Sequence, residues 1–82
     1  MASVTVRFFA RYAELAGRES AAVAVPSPAT VQDVVRRVRE TVPGARQLPD
    51  RPLTAVNMRQ ARLDSAVQDG DEVALLPPIA GG

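Results

Sequence analysis

The residues that could do chemistry in this chain are its last two, Gly81 and Gly82. Together they present an α-carboxylate on a stretch of backbone without Cβ atoms, able to thread a channel too narrow for any other residue and to adopt angles that other residues avoid. An α-carboxyl is ionised at neutral pH and is a poor acyl donor, so its use requires activation. Attack on the α-phosphate of ATP gives an acyl-adenylate, which a second nucleophile can displace. Two terminal glycines arise by chance in roughly one chain in two hundred, and chain ends are commonly frayed, so the dipeptide alone is a weak signal. The residues before it carry more. Asp69-Gly70 supplies a turn, and Val73 and Leu75 recur at the two-residue period of a half-buried strand. Pro77-Pro78 then stops the ladder and holds the exit extended. Residues 77–82, with Ile79 in their middle, read as a projecting arm of at most ~20 Å, long enough to enter another protein's active site.

The rest of the composition removes most alternatives. The chain has 82 residues, 46% of them hydrophobic, which suits one small domain with a single core. It contains neither cysteine nor histidine, so disulfides, the usual zinc sites, Cys and His nucleophiles and the neutral-pH acid-base residue are all absent from the sequence. No metal site is expected, and the chemistry must come from a partner. A formal charge of +1 and three aromatic residues give no field or stacking platform for nucleic acid. No apolar leader or span of about 18 apolar residues is visible, so the expectation is a cytoplasmic protein with no membrane contact. All ten basic residues are arginine, which reads first as compositional bias.

The elements that must position the arm follow from periodicity. Residues 3–10 alternate, with Val4, Val6 and Phe8 on one face and Thr5, Arg7 and Phe9 on the other, predicting a first strand with an aromatic on its outward side. Tyr12 and Leu15 before Gly17 predict one short helical turn with a glycine cap. Residues 20–25 predict a second strand, antiparallel to the first and ended by Pro26. Thr30 and Asp33 form a capping-box pattern, and Val31, Val34, Val35, Val38 and Val42 make one apolar stripe, so a helix is expected up to Pro43-Gly44. Its other face carries Arg36, Arg37, Arg39 and Glu40, either a solvated face or a docking surface. Residues 45–52 read as loop, residues 53–58 as a strand with Asn57 forming a turn at its exit, and residues 59–67 as irregular, with a brief strand around 61–63 and with Leu63 and Val67 buried. Residues 72–76 close the sheet. In that last strand Leu76 must face away from Val73 and Leu75, on the side that also carries Phe9, which makes Leu76 and Phe9 candidates for a docking patch. The order is α+β, with the helix on one sheet face. A ferredoxin-like arrangement fits less well, because residues 59–67 are too short for its second helix.

With Phe8-Phe9-Ala10, Val56-Asn57 and the whole of residues 69–82, the chain resembles the molybdopterin synthase small subunit, the MoaD family, within the ubiquitin-like MoaD/ThiS sulfur carriers. The likeness spans essentially the full length and is weakest over residues 45–52. Leu75-Leu76 stands where aromatics are frequent in that family, and Ile79-Ala80 where Val-Thr is common. The resemblance implies a β-grasp, ubiquitin-like domain over residues 1–76 and a sulfur-carrying tail over 77–82. It implies that Gly82 is adenylated and then converted to a thiocarboxylate, with Gly81 permitting threading and Pro77 and Pro78 stiffening the exit. Sulfur would pass to a cyclic pyranopterin phosphate in the large subunit of molybdopterin synthase. The other implied partners are an E1-like adenylating enzyme, which uses the ATP, and a sulfur donor protein; the carrier itself would bind no cofactor. The same tail would equally serve thiazole, cysteine or tRNA sulfur transfer, or isopeptide attachment as a ubiquitin-like modifier. An interaction module with an inert tail is the remaining alternative.

Overall fold

The computed structural model describes residues 1–78. Strand β1 (Ala2–Phe8) pairs antiparallel with β2 (Ser20–Val25), Val4 opposite Val23 and Val6 opposite Ala21. The alternation expected from the sequence is seen residue by residue: Val4, Val6 and Phe8 are buried, while Thr5 and Arg7 are exposed. The strand begins one residue earlier than the pattern suggested and ends at Phe8, leaving Phe9 just past the ladder. Between the two strands lies α1 (Arg11–Ala16), closed by Gly17 in the left-handed conformation, with the Gly17 N–H donating to the Ala13 carbonyl at 2.9 Å.

The main helix α2 (Val31–Thr41) starts at a capping box. The Asp33 N–H donates to Thr30 Oγ1 at 3.3 Å, and the Thr30 N–H donates to Asp33 Oδ2 at 2.9 Å. Two further first-turn amides find partners outside the helix. The Val31 N–H donates to the Ser65 carbonyl at 2.9 Å and the Gln32 N–H to the Leu63 carbonyl at 2.8 Å. Amides that a helix cannot satisfy internally are thus satisfied by the later chain. This gives residues 62–65, which have no periodicity of their own, a fixed path. The short strands on either side, β3 (Ala29–Thr30) and β6 (Ala66–Val67), pair antiparallel in a second, two-stranded sheet absent from the sequence reading.

Val31, Val34, Val35 and Val38 are all buried against the sheet, as the stripe required. Valine is a mediocre helix former, so burial at about 25 cal/mol per Å² of apolar surface supplies what propensity does not. Residues 48–52 are loop as expected, but the start of the stretch is more ordered than that reading. A 3-10 turn spans Ala45–Gln47, and Ala45 and Leu48 are both buried in the core. Gly44 precedes it at φ 86°, and a Cβ there would run into the Leu15 carbonyl oxygen, so the turn and α1 pack together only because residue 44 is glycine.

Strand β4 (Leu53–Val56) runs into a tight turn at Asn57 and Met58, both at positive φ, and returns as β5 (Arg59–Ala61), two residues upstream of the brief strand expected. Strand β7 (Glu72–Leu76) closes the structure over the expected residues. The five-stranded sheet has the order β2-β1-β7-β4-β5, mixed, with β7 parallel to β1 and antiparallel to β4. A mixed sheet grasping one main helix on a single face is the β-grasp architecture that the resemblance implied.

Candidate functional site

Strand β7 is the central strand, and its position determines how firmly anything beyond Leu76 is held. Val6 lies opposite Val73 and Phe8 opposite Leu75 on one side, with Val56 opposite Val73 and Thr54 opposite Leu75 on the other. Val73 and Leu75 have no accessible surface. The start of the strand is clamped as well. Asp71 Oδ1 accepts from Asn57 Nδ2 at 3.1 Å, Asp71 Oδ2 from the Gln68 N–H at 2.8 Å, and Asp69 Oδ1 from the Ser3 N–H at 2.8 Å. Asn57 adds two more bonds, its N–H donating to the Glu72 carbonyl at 2.8 Å and its Oδ1 accepting from the Glu72 N–H at 3.0 Å. The turn former seen in the sequence is therefore also the tie between the β4–β5 turn and the start of β7.

The strand's far end is organised differently. The ladder ends with Leu76 opposite Leu53, after which Pro77 is half-buried and Pro78 exposed. Neither proline has an N–H to donate, so the backbone leaves the sheet at this point. Ile79, Gly81 and Gly82 lie outside the described residues.

The two docking candidates sit at this same end, on the sheet face turned away from α2. Phe9 is 38% exposed, with the Arg7 guanidinium 5.5 Å from its ring centroid, which puts the ring on the outward side with Arg7. Leu76 is half-buried rather than fully exposed, because its cross-strand neighbour is Leu53. Leu53 itself is 50% exposed. Ala55 and Ala74, opposite one another, continue this face without charge, and the Arg7–Glu72 pair at 3.8 Å borders it. The sequence reading named Phe9 and Leu76 at this end of the sheet and did not name Leu53, which lies beside Leu76. Nothing local distinguishes Leu53 from a core leucine; only the register of β4 on β7 brings it beside Leu76. Among the described residues no group of three or more acidic side chains is arranged to hold a metal ion, and no helix is long and apolar enough to cross a membrane.

The model of the ThiS family matches residues 6–82, which includes the whole of β7 and the arm. The chain belongs to that family. Its ThiS-family relatives include the molybdopterin synthase sulfur carrier subunits of Escherichia coli (35% identical over 80 residues, 96% of this chain and 99% of that one) and of Homo sapiens (29% over 85 residues, 100% and 97%). The small archaeal modifier protein 3 of Haloferax volcanii is 38% identical over 88 residues, covering 94% of this chain and 96% of that protein. Among solved structures, SAMP1 of H. volcanii superimposes with a TM-score of 0.84 at 33% identity, over 98% of this chain and 99% of that one. A chain in the complex of subunits 1 and 2 of the molybdopterin-converting factor of Helicobacter pylori gives 0.66 at 25% identity, over 98% and 99%. The fold of this ThiS-family chain is thus the ubiquitin-like β-grasp shared by sulfur carriers and modifiers.

Proposed function

We propose that this ThiS-family protein is the sulfur carrier of molybdopterin synthesis. The observation that carries the proposal is the central, doubly paired β7, which leads into Pro77-Pro78 beside a mainly apolar sheet face. A carrier needs a rigid body to be gripped and an end that can be handed between active sites, and this arrangement supplies the first at the root of the second. The sulfur carrier subunits among its relatives and the two-subunit Helicobacter complex favour molybdopterin over other acceptors.

In this reading the Gly82 carboxylate attacks the α-phosphorus of ATP in an E1-like partner, pyrophosphate leaves, and an acyl-adenylate forms. Sulfide (HS⁻) supplied through a donor protein adds to the acyl carbon, the bond to AMP breaks, AMP leaves with its electron pair, and loss of a proton leaves a thiocarboxylate on Gly82. The arm then enters the large subunit of molybdopterin synthase and gives its sulfur to a cyclic pyranopterin phosphate, and hydrolysis restores the carboxylate. Gly81 passes the narrowest part of each channel, and Pro77 and Pro78 keep the arm from folding back on the sheet. Phe9, Leu53 and Leu76 form the docking patch. The protein itself binds no cofactor and works in the cytoplasm as a recyclable co-substrate.

Intact-mass measurement of the protein from its native host tests this directly: the expected species has one terminal oxygen exchanged for sulfur. Restored molybdoenzyme activity in a strain lacking its own small subunit would identify the pathway, whereas rescue of a thiamine auxotroph instead would sink the molybdopterin assignment. A second reading is favoured by the identity to small archaeal modifier protein 3: attachment of Gly82 to a lysine of a target protein. Denaturant-stable conjugates of higher mass, abolished by removal of Gly82, are its signature.

A further inference from the structure

The arginine-bearing face of α2 takes no part in the site described above. Arg36 and Arg39, one turn apart, and Arg51 of the following loop line an open recess of about 270 Å³, whose wall also includes Gln32, Val35 and one acidic residue, Asp50. The recess has a fixed wall, because Gln32 Nε2 donates to the Asp50 carbonyl at 3.0 Å and ties the loop to the helix. Among the described residues neither Arg39 nor Arg51 has an ion-pair partner, and Arg36 has only Asp33 at 3.5 Å across solvent. Arg39 Nη2 reaches the Arg46 carbonyl at a long 3.5 Å, and its Nε is buried with no acceptor. That Nε is closed to an outside acceptor, but the Arg36 and Arg51 side chains are exposed, so their guanidinium donors are open to one.

We infer that this recess docks a carboxylate-rich segment of a partner protein. The planar fork of arginine matches a carboxylate with two parallel hydrogen bonds, and three such forks around one recess suit neighbouring Asp or Glu side chains. Nucleic acid fits less well, since the whole chain carries only +1 and no aromatic side chain lines the recess. A second copy of this chain offers no free run of neighbouring carboxylates, because its one acidic cluster, residues 69–72, is already used, with Asp69 and Asp71 accepting backbone and Asn57 donors and Glu72 facing Arg7. Arg51 lies two residues before Leu53, whose partner is Leu76, so a segment seated here sits at the end of the molecule from which the arm departs. The inference is independent of what Gly82 carries.

The test is a titration of the isotope-labelled full-length protein with an oligoglutamate peptide, following the side-chain Nε–H resonances of arginine at low salt. Saturable shifts at Arg36, Arg39 and Arg51, weakened by added salt and requiring about fivefold more peptide in Arg51→Gln, support the inference. Arg39→Gln, with its fold checked by thermal melt, should remove the Arg39 signal and weaken binding at least as much. The inference is overturned by the absence of saturation, by equal shifts from inorganic phosphate at the same concentration, by tighter saturation with oligothymidylate, or by shifts that follow protein concentration through self-association.

Discussion

Leu76 is the residue at which fold and proposed function meet, and its half-burial makes two separate demands on a substitution. Leu76→Glu removes an apolar cross-strand contact with Leu53 and should cost about 1 kcal/mol of stability, a small shift in Tm. If the sheet face is gripped by the large subunit, the same charge enters a desolvated contact and should weaken that complex by about 2 kcal/mol or more. A thermal melt and a titration against the partner, run on one variant, measure both; a stable variant that binds normally would remove Leu76 from the patch. Beyond it, deletion of Gly82 should abolish sulfur transfer with no change in Tm, because the last strand ends at Leu76, well before that residue. Gly81→Val is the milder form. A branched side chain and a restricted backbone should slow adenylation, and unchanged adenylation kinetics would mean that the tail is read loosely.

At the scale of elements, β7 is held at its start by hydrogen bonds and along its length by burial, and Asn57 is the residue through which two turns share the load. Its φ of 50° is the left-handed region that asparagine tolerates better than most residues, and its side chain makes two of the bonds at the head of β7. Asn57→Ala should therefore cost about 2 kcal/mol in urea unfolding, from lost hydrogen bonds together with backbone strain. Asn57→Gly relieves the strain and keeps only the hydrogen-bond loss, so it should fall between wild type and Asn57→Ala; equal losses in the two variants would show that strain contributes nothing. Thr30→Ala, which breaks the capping box of α2, should cost about 1 kcal/mol by the same measurement.

For the molecule as a whole, the absence of lysine has a chemical consequence if Gly82 is activated as an acyl donor. No lysine side chain on one copy can be acylated by another, so the lysine linkages by which modifiers build chains on themselves are unavailable. Should the protein modify targets, the expected products carry single copies on each acceptor lysine. Peptide mapping of conjugates checks this, and a branch on any side chain of the carrier would contradict it. The two layers also divide the surface. The sheet face around Phe9, Leu53 and Leu76 is mainly apolar, its Arg7 paired with Glu72, while the α2 side is lined with arginine, so two partners of different chemistry can be accommodated without competing for the same atoms.

The amino-acid sequence by itself determined the elements whose signals are local. The alternation of Val4, Val6 and Phe8, the valine stripe and Thr30–Asp33 cap of α2, the Gly17 cap, and the strand and prolines of residues 72–78 all follow from side-chain period and backbone preference over a few residues. The family came from a resemblance, carried by Phe8-Phe9-Ala10, Val56-Asn57 and residues 69–82, and not from these signals. Only tertiary structure decided the features that depend on register between distant segments. Ala45 and Leu48, within a stretch that read as loop, became core because Gly44 lets the 3-10 turn close against α1. The irregular run after β5 was given its path by donors at the head of α2. Leu53 joined Leu76 on the surface because β4 pairs with β7 at one register and no other, and a slip of one residue would turn it into the core. Arg39 and Arg51 came together across a loop whose geometry no period encodes, for a recess is a relation between elements and leaves no trace within either.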